Sequence, residues 1–422
     1  MPKNLLYAQS GGVTPVINAS AYGAIRAALT LPQINEVYAA KNGIQGVLDE
    51  QLYHLNAENP NEIEKIPYTP GGIFGSCRVK ISSREGGPDR EKLERIFKVF
   101  RAHDIGYFLY NGGNDSMETA HAISTYAKEN GLDLRVIGIP KTVDNDLLYT
   151  DYCPGYGSAA KFTATAILEA TKDLKSMAAS STKVFILESM GRHAGWLAAS
   201  SALSRINGEA GPSVILLPEI PFSEEAFLTR VEEEIQTKGF CSVVASEALK
   251  DDNGNFISTA GYTDSFGNVQ LGKICFTLEK MVREKLNVKV HTGLPDYLQR
   301  SSRHIASLAD WQDAIEAGAR SVFWMVRDGL SDMMTVIIRD MGTPYIRHFD
   351  FVPLSRIAGK TRSLPAEYID AEALNVTEGF MEYALPLIKG EAPDNYHLGI
   401  PVYANLKYVM EKKKVDSIEK ER

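Results

Sequence analysis

The sequence has few cysteines, no excess of positive charge and no long hydrophobic run. Its four cysteines (Cys77, Cys153, Cys241 and Cys275) lie far apart among 422 residues, and no Cys-x-x-Cys pair indicates a zinc or redox site. The net charge of −8 argues against nucleic acid as the main partner. No apolar run approaches a membrane span, and the N-terminal apolar stretch is too short for a signal peptide. We therefore expect a cytoplasmic protein with reduced thiols, which binds neither nucleic acid nor membrane.

Strand-like and helix-like patterns alternate along most of the chain. Apolar runs such as 5–9 and 105–110 are followed or preceded by amphipathic stretches such as 90–103, which is typical of parallel α/β architecture. The length favours two domains over one simple core. We predict a helix over 223–238 with Ser223 as its N-cap, a loop for the Gly/Asp/Asn-rich stretch 251–264, and a frayed helix or tail for 411–422.

Two loops place paired glycines between a predicted strand and a predicted helix. Gly11 and Gly12 form the first pair, and the second lies in the segment Asn-Gly-Gly-Asn-Asp-Ser at 111–116. Glycine lets the backbone approach a phosphate closely, and a helix start offers free N–H groups. The first loop alone could equally be an ordinary turn, but two such loops favour a bound polyphosphate. Asp115 is anomalous, because a carboxylate repels phosphate unless a cation or proton lies between them.

A second segment, Lys-Thr-Val-Asp-Asn-Asp at 141–146, also follows a predicted strand. In an extended chain Asp144 and Asp146 point the same way. One carboxylate could take a proton from a substrate hydroxyl while the other helps to hold Mg²⁺. The segment alone could equally be an acidic turn. Together with the glycine loops it suggests phosphoryl transfer.

Three further segments carry charge at positions that suit a phosphorylated sugar. Arg192 follows a predicted strand and could hold a phosphate through two hydrogen bonds, whereas we expect His193 to be a neutral contact group. Glu247 ends a strand and could accept hydrogen bonds from sugar hydroxyls. The segment 299–304 contains Arg300 and is cationic enough to bind a sugar phosphate, although it could equally be a basic surface turn.

Two other segments are near-misses to nucleotide-binding motifs. Residues 155–160 fit Gly-x-Gly-x-x-Ala, but no strand leads into them and no acidic residue follows at the required place. The alternative hypothesis of an NAD-dependent oxidoreductase rests on this segment alone. Residues 267–274 approach a P-loop, but Ile274 lacks the hydroxyl that would bind Mg²⁺, so we interpret them as a turn entering a helix.

Taken in order over about residues 5–310, these segments resemble the motifs of the phosphofructokinase family. The matching segments begin at Gly11, Gly71, Gly112, Thr142, Met190, Glu247 and Arg300. The resemblance implies an α/β fold of two Rossmann-like αβα sandwich domains with the active site in the cleft between them. It implies a phosphoryl-donor domain from 1–155 plus about 305–345, and a sugar-phosphate domain from 156–304 plus about 346–422.

The resemblance also implies roles for individual residues, with Asp144 as the general base for the 1-hydroxyl of fructose 6-phosphate. Lys141, Thr142 and Arg192 complete the catalytic set, and Asp146 with Asn114 belongs to the Mg²⁺ environment, although Asn114 replaces the usual aspartate. The implied donor-binding residues are Gly11, Gly12, Arg78, Gly113, Asn114, Asp115 and Ser116. The implied sugar-binding residues are Thr142, Asp144, Lys183, Met190, Gly191, Arg192, Glu247, Arg300 and Arg303. Arg303 is included because the segment after Arg300 lacks the second arginine of the family, and Arg303 would take its place.

Asp115 and Lys141 indicate which phosphoryl donor the protein uses. Members of the family that use ATP typically have glycine at the position of Asp115, whereas pyrophosphate users have aspartate there and lysine at the position of Lys141. An aspartate would occlude and repel the α-phosphate of ATP, and a lysine supplies a cation for pyrophosphate and offsets the charge of Asp115. We therefore predict Mg²⁺-dependent, reversible transfer from pyrophosphate to fructose 6-phosphate.

Several alternatives and extensions stay open at this point. ATP is the alternative donor, and sedoheptulose 7-phosphate has the same reacting end as fructose 6-phosphate. A sugar-phosphate sensor without turnover would need a broken base, whereas Asp144 and Asp146 are present. If Lys183 reaches a neighbouring subunit, as the resemblance implies, the protein is a symmetric oligomer, for which a homodimer is favoured and a homotetramer is the alternative.

Overall fold

The structure, a computed structural model, describes residues 2–81, 87–263, 269–340 and 345–416. Seven strands of these residues form a first sheet, whose central strands are parallel and whose two edge pairs are antiparallel. In spatial order the strands are Ile346–Pro353, Met333–Asp340, Arg135–Pro140, Ile105–Gly112, Lys3–Gln9, Ile34–Ala40 and Leu52–His54.

The first sheet is buried on both faces by helices. Along the strand Lys3–Gln9, Leu6 and Ala8 pack into one hydrophobic cluster, while Leu5 and Tyr7 pack into another, as the two-residue period of a strand requires. The principal helices of this layer are Ile17–Thr30, Arg90–Ala102, Asn114–Glu129 and Leu308–Val326.

Two of these helices, Ile17–Thr30 and Leu308–Val326, cross in close contact. A Cβ on Gly23 would lie 2.0 Å from the Ile315 carbonyl oxygen, and one on Gly318 would lie 2.1 Å from the Ser20 carbonyl oxygen. Only glycine leaves room for backbones this close. The crossing holds the helix that follows the first glycine loop.

Four described strands form a second, parallel sheet in the order Val290–Gly293, Val184–Ser189, Cys241–Ser246 and Val214–Leu216. Its principal helices are Tyr156–Met177, Trp196–Ser200, Glu224–Lys238 and Ile274–Leu286. The predicted N-cap at Ser223 is confirmed, because its side chain accepts a hydrogen bond from the Ala226 N–H. The parallel central strands of the first sheet and the parallel second sheet confirm the predicted α/β class.

Shorter elements connect and extend these layers. The short α-helices are Ile44–Leu48, Pro60–Ile63, Leu298–Ser301 and Glu378–Ala384, and the 3₁₀ turns are Leu55–Ala57, Ile66–Tyr68, Ser201–Arg205, Arg303–Ile305, Leu354–Arg356, Ala366–Tyr368 and Leu385–Ile388. The small hairpins pair Thr259–Thr263 with Val269–Leu271, Ile369–Asp370 with Asn375–Val376, and Tyr396–His397 with Ile400–Pro401. None of the described helices is both long and apolar enough to cross a membrane.

Two local predictions need correction. The stretch 251–264, predicted as a loop, contains the strand Thr259–Thr263, whose β-branched ends at Thr259 and Thr263 suit a hairpin strand. Residues 411–416, predicted as part of a frayed helix or a tail, are not helical and are attached to the first sheet. The Glu411 N–H donates to the Leu52 carbonyl at 2.8 Å, so this stretch lies along the edge of the first sheet. Residues 264–268 and 417–422 lie outside the described residues.

The predicted division of the chain also needs a correction near its end. Ile346–Pro353, assigned to the second domain, pairs antiparallel with Met333–Asp340 in the first sheet. By contrast, Phe380 and Tyr383 pack beside Trp196 in the core around the second sheet. The chain therefore passes from the first layer to the second and back again after residue 345.

Candidate active site

Three loops meet at one edge of the first sheet. They follow the neighbouring parallel strands Lys3–Gln9, Ile105–Gly112 and Arg135–Pro140, and parallel strands present their carboxyl ends at the same edge. The Ser10 N–H donates to the Asn111 carbonyl at 2.9 Å, and the loops after the other two strands are joined by a similar bond at 3.1 Å. The structure thus brings together both glycine loops and the segment 141–146, as predicted.

Lys141 lies beneath the first glycine loop. Its side chain is only 3% exposed, and its Nζ donates to the Gly12 carbonyl at 2.6 Å. Gly11 has a left-handed φ of +75°, and a Cβ on it would lie 3.4 Å from this Nζ. Burial lowers the pKa of Lys141 to about 8, and the charges of Arg300 and Arg78 act in the same direction. The positive charge of Lys141 therefore lies beneath the first glycine loop, where it would attract a phosphate bound to that loop.

Asp144 and Asp146 lie together at the end of the next strand. The Asp144 N–H donates to Thr142 Oγ1 at 3.1 Å, and Asp146 Oδ2 accepts from Asn114 Nδ2 at 2.9 Å. Burial raises the pKa of Asp144, and burial together with the charge of Asp144 raises the pKa of Asp146 to about 7. The protein therefore concentrates negative charge here without fully neutralising it, which favours a proton or a cation between the carboxylates.

The residues around this carboxylate pair fit a magnesium ion. Asn114 begins the helix Asn114–Glu129, and its Oδ1 is buried without a hydrogen-bond partner. The described residues contain no group of three or more His, Cys, Asp or Glu side chains able to hold a metal. Two carboxylates and one amide oxygen suit Mg²⁺, which commonly takes its other ligands from water and substrate phosphates.

Asp115 stands in the first turn of the same helix, with a side chain that is 66% exposed. Its Oδ1 lies 3.1 Å from the Nζ of Lys80. We expected Lys141 to offset the charge of Asp115, and the structure corrects this point, because Lys141 is bound to Gly12 instead. Lys80 lies in an irregular stretch with no periodic pattern, so the sequence offered no signal for this pair.

The stretch 76–80 is attached to the first glycine loop. Gly11 donates its N–H to the Cys77 carbonyl at 2.9 Å and accepts at its own carbonyl from Ser76 Oγ at 2.6 Å. Arg78 is exposed between these contacts and Lys80. The predicted donor residue Arg78 therefore shares the donor side of the site with the glycine loop.

Ser116 and Gly113 shape the second glycine loop. Gly113 immediately precedes the helix Asn114–Glu129, and its carbonyl accepts from the Ser116 N–H at 3.0 Å. A Cβ on Gly112 would lie 2.0 Å from Ser116 Oγ. Position 112 of this loop therefore favours glycine. The loop holds the start of the helix Asn114–Glu129 beside the predicted donor-binding residues.

Residues of the second layer face the same cleft. The Gly191 N–H donates to Glu247 Oε1 at 3.2 Å, and the Met190 N–H donates to Gln299 Oε1 at 3.1 Å. Burial raises the pKa of Glu247 to about 7, and the charge of Asp144 adds to this shift. Gln299 is a residue that we did not predict, although it directly precedes Arg300.

Arg192 and His193 lie where the two layers face each other. The charge of Arg192 lowers the pKa values of both Asp144 and Glu247, against the larger effect of burial. Partial burial lowers the pKa of His193, and the charge of Arg192 acts in the same direction. Both effects disfavour the protonated form of His193, and its role as a contact group stays a prediction.

Arg300 reaches from the second layer towards the donor loop. Its guanidinium lies 4.0 Å from the centre of the Tyr297 ring, and a Cβ on Gly12 would be 3.0 Å from its Nη1. Its Nε is buried without a hydrogen-bond partner. An arginine in this position has donors left to bind a phosphate.

Arg303 does not share this cleft. Its side chain is 1% exposed, pairs with Asp394 at 3.1 Å and donates to the Pro67 and Pro393 carbonyls. Its guanidinium is thus committed to joining three parts of the chain. This arrangement does not support the predicted contact with the sugar.

Lys183 also lies apart from the other predicted residues. It precedes the strand Val184–Ser189, whereas Met190 and Gly191 follow the far end of the same strand. Its Nζ donates to the Ala178 carbonyl. A role for Lys183 at the sugar of a neighbouring subunit stays a prediction.

The two near-miss motifs have structural roles. Asp310 is buried against the start of the helix Tyr156–Met177, where it accepts from the Gly155 and Ser158 N–H groups, each at 2.9 Å. A carboxylate of the chain thus occupies the place that a dinucleotide would need. At the other motif a helix begins at Ile274, as we expected of a turn entering a helix, while residues 264–268 lie outside the described part of the chain.

A sequence model of the family described as phosphofructokinase matches residues 4–325. A relative from Xanthomonas campestris pv. campestris, named pyrophosphate–fructose 6-phosphate 1-phosphotransferase, is 47% identical over 418 residues, covering 99% of both chains. A relative of the same name from Methylococcus capsulatus is 44% identical and covers 98% of both chains. The crystal structure of a pyrophosphate-dependent phosphofructokinase from Nitrosospira multiformis has a TM-score of 0.90 at 42% identity, covering 99% of both chains. The chain belongs to the phosphofructokinase family.

Proposed function

We propose that this chain transfers a phosphoryl group from pyrophosphate to the 1-hydroxyl of fructose 6-phosphate. The products are fructose 1,6-bisphosphate and phosphate. The reaction is readily reversible, because the donor is not a nucleotide pool held far from equilibrium. The observation that carries the proposal is Asp115, which projects from the start of the donor-side helix and is paired with Lys80. Relatives aligned over almost the whole chain bear the name of this activity.

The donor side of the cleft suits a short polyphosphate better than a nucleotide. Asp115 and Lys80 together fill space beside the glycine loops, and the carboxylate repels any phosphate placed next to it. Lys141 and Arg78 supply positive charge on the inner side of the same loops. Pyrophosphate fits between them, whereas the α-phosphate and nucleoside of ATP would extend towards Asp115.

On the acceptor side, Asp144 takes the proton of the attacking 1-hydroxyl. Its raised pKa suits a base, since a base works best when its pKa is near the working pH. Arg192 and Lys141 stabilise charge on the transferred group, and Arg300 binds the 6-phosphate. Glu247 accepts hydrogen bonds from sugar hydroxyls. Catalysis is therefore mainly positioning and charge stabilisation.

Asp146 and the free Oδ1 of Asn114 would hold Mg²⁺ in this site. When bound, the ion supplies positive charge that neutralises the phosphate oxygens. Asn114 in place of an aspartate leaves one charge fewer around the ion. The hydrogen bond from its Nδ2 to Asp146 keeps its amide oriented towards the carboxylate pair.

The assembly and location of the protein belong to the same proposal. If Lys183 binds the sugar phosphate of a neighbouring subunit, a symmetric dimer completes two sites at once. Its position at the amino end of a strand, away from the cleft of its own chain, supports this arrangement. The four free cysteines, of which three are buried, are in keeping with a reducing cytoplasmic location.

The test compares product formation from fructose 6-phosphate with pyrophosphate, ATP or ADP, in parallel for the wild type, Asp115→Gly and Asp115→Asn. We expect turnover with pyrophosphate alone in the wild type. Asp115→Gly should raise the ratio of kcat/KM for ATP to that for pyrophosphate by about 10- to 100-fold. Asp115→Asn retains the side-chain volume without the charge, so it separates repulsion from occlusion.

Two outcomes would each contradict one part of the proposal, either the donor or the role of Asp115. Wild-type turnover with ATP and none with pyrophosphate would overturn the choice of donor. An unchanged donor ratio in Asp115→Gly would leave the activity standing but refute Asp115 as its specificity determinant. Sedoheptulose 7-phosphate, run as a second acceptor, measures how broadly the sugar side accepts substrates.

A further inference from the structure

The segment 362–364 joins the catalytic carboxylate loop to the loop that carries Arg192. The Arg362 N–H donates to the Asp146 carbonyl at 2.8 Å. Two residues later, the Leu364 N–H donates to Glu219 Oε1 at 3.0 Å, and the same oxygen accepts from the Gly195 N–H at 2.9 Å. One short stretch of chain is thus bonded to both sides of the cleft.

The guanidinium of Arg362 is bound to three carbonyl groups of the loop that follows Asp144. Its Nε and Nη2 donate to the Asn145 carbonyl at 3.1 and 2.8 Å. Its Nη1 donates to the carbonyls of Thr150 and Asp151 at 2.7 and 2.9 Å. The guanidinium also lies 4.7 Å from the centre of the Trp196 ring, at the start of the helix after Gly195.

The loop needs these donors because its backbone is held in an unfavourable conformation. Asn145 and Tyr149 both have left-handed φ angles, 55° and 64°. Such residues persist where the surroundings fix them, and inward-facing carbonyls require partners. Arg362 supplies the partners at both ends of the loop. Lysine would have the charge but not the planar set of five donors.

Glu219 completes the connection on the other side. It contributes one oxygen to two backbone N–H groups, while its Oε2 is buried without a hydrogen-bond partner. A Cβ on Gly195 would lie 2.7 Å from this Oε2. The carboxylate therefore packs directly against the backbone that follows Arg192.

We propose that Arg362 and Glu219 are positioning residues that set the placement of Asp144 relative to Arg192. This inference rests on the proposed function and adds two residues to it, neither of which lies in a segment that resembles a family motif. The reacting groups come from different layers of the fold, so their spacing depends on whatever joins those layers. A displacement of about 1 Å in such a site can cost about 100-fold in rate.

The primary test is Arg362→Met, with kcat and both KM values measured against the wild type. We expect kcat to fall by about 10- to 100-fold while both KM values stay within about threefold, because the substrates still bind but react less often. Arg362→Lys should recover part of the loss. Arg205→Met is the matched control, since Arg205 is also partly buried but donates to Asn375, away from the cleft, and its kcat should stay within about twofold of the wild type.

A second pair of variants tests the same connection from Glu219. Glu219→Gln retains an acceptor oxygen for both N–H groups and should keep most of kcat, whereas Glu219→Ala should behave like Arg362→Met. In the double variant Arg362→Met/Glu219→Ala, the two losses in log kcat should be less than additive, because both changes break one connection. This pair also keeps the proposal testable if Arg362→Met does not fold.

Three outcomes would overturn the inference. One is an unchanged kcat per folded enzyme in Arg362→Met and Glu219→Ala, with only a lower melting temperature. A second is a loss confined to the KM values, and a third is full additivity in the double variant. A wild type with no pyrophosphate-dependent turnover would instead refute the proposed function, so the two failures can be told apart.

Discussion

Two lysines on the donor side of the cleft have different surroundings. Lys80 is half exposed and bridges to Asp115, whereas Lys141 is buried against the Gly12 carbonyl. A buried ammonium loses solvation, so its pKa falls, and it becomes sensitive to pH in a range where exposed lysines are not. Lys80 is therefore the cation paired with the Asp115 carboxylate, while Lys141 places its charge beneath the first glycine loop.

The first prediction concerns this pH sensitivity. The pKa of Lys141 is lowered to about 8, so its positive charge is present below that pH and is lost as pH rises through it. We expect kcat/KM for pyrophosphate to fall above about pH 8, by about tenfold per pH unit. Bound pyrophosphate stabilises the charge, so the corresponding decline in kcat should lie at higher pH.

Lys141→Arg provides the control for this profile. Arginine stays protonated throughout the accessible range, so the alkaline decline in kcat/KM should disappear even if overall activity is lower. A decline of the same position and slope in Lys141→Arg would assign the titration to another group.

At the scale of elements, the positions of the loops at the cleft depend on the packing of the helices behind them. The backbones of these helices have little freedom to move. The helices Ile17–Thr30 and Leu308–Val326 cross at two glycines, and the first of them follows the glycine loop that covers Lys141. Helix spacing and loop position are thus coupled. Extra volume at the crossing must displace a backbone rather than a side chain.

The second prediction is that Gly318→Ala destabilises the protein by about 1–3 kcal/mol, because the new Cβ would clash with the Ser20 carbonyl. Gly379→Ala is the control, since Gly379 also lies in a helix but its added Cβ would have no atom within 3.6 Å. That substitution should be neutral or stabilise by up to about 1 kcal/mol. Urea denaturation of both variants gives the comparison, and equal midpoints would refute close packing at the crossing.

Elements whose hydrophobic residues recur with a clear strand or helix period could be predicted from the sequence, and the other elements could not. The central strands and the helix capped by Ser223 carry strong local patterns, and their predicted positions agree with the structure within a few residues. The strand Ile346–Pro353 alternates between exposed and partly buried residues at a sheet edge, so it carried no strong hydrophobic signal. The placement of Lys80 and Arg362 depends on partners 35 and more than 200 residues away, and no local pattern records such contacts.

At the scale of the whole molecule, the end of the described chain returns to the first sheet. Glu50 is buried there, accepts from His103 Nε2 at 2.8 Å and accepts from the Val415 N–H at 3.1 Å. Nearby, the Tyr408 hydroxyl donates to the Ile73 carbonyl at 3.1 Å, within the glycine-rich stretch that leads to Arg78. Residues 404–416 therefore cover one edge of the layer around the first sheet.

The third prediction tests this contact through Glu50→Ala. Removing the carboxylate leaves His103 and two backbone N–H groups without their buried partner, so we expect a loss of about 2–4 kcal/mol in the free energy of unfolding. Faster cleavage within 404–416 by a protease should accompany it. Glu36→Ala removes a half-exposed Glu–His pair of the same sheet and should cost at most about 1 kcal/mol. Similar losses in both variants would contradict a special role for Glu50.

The return of the chain to the first sheet also has a consequence for synthesis on the ribosome. The strand Lys3–Gln9 of that sheet is made first, but two other strands of the sheet come from residues 333–353, and the cover over Glu50 comes from residues 404–416. The described strands of the second sheet are all made by residue 293, but the core around that sheet also takes Phe380 and Tyr383 from the late part of the chain. Neither layer can therefore be completed early in synthesis, so the cleft between them is formed only after most of the chain has left the ribosome.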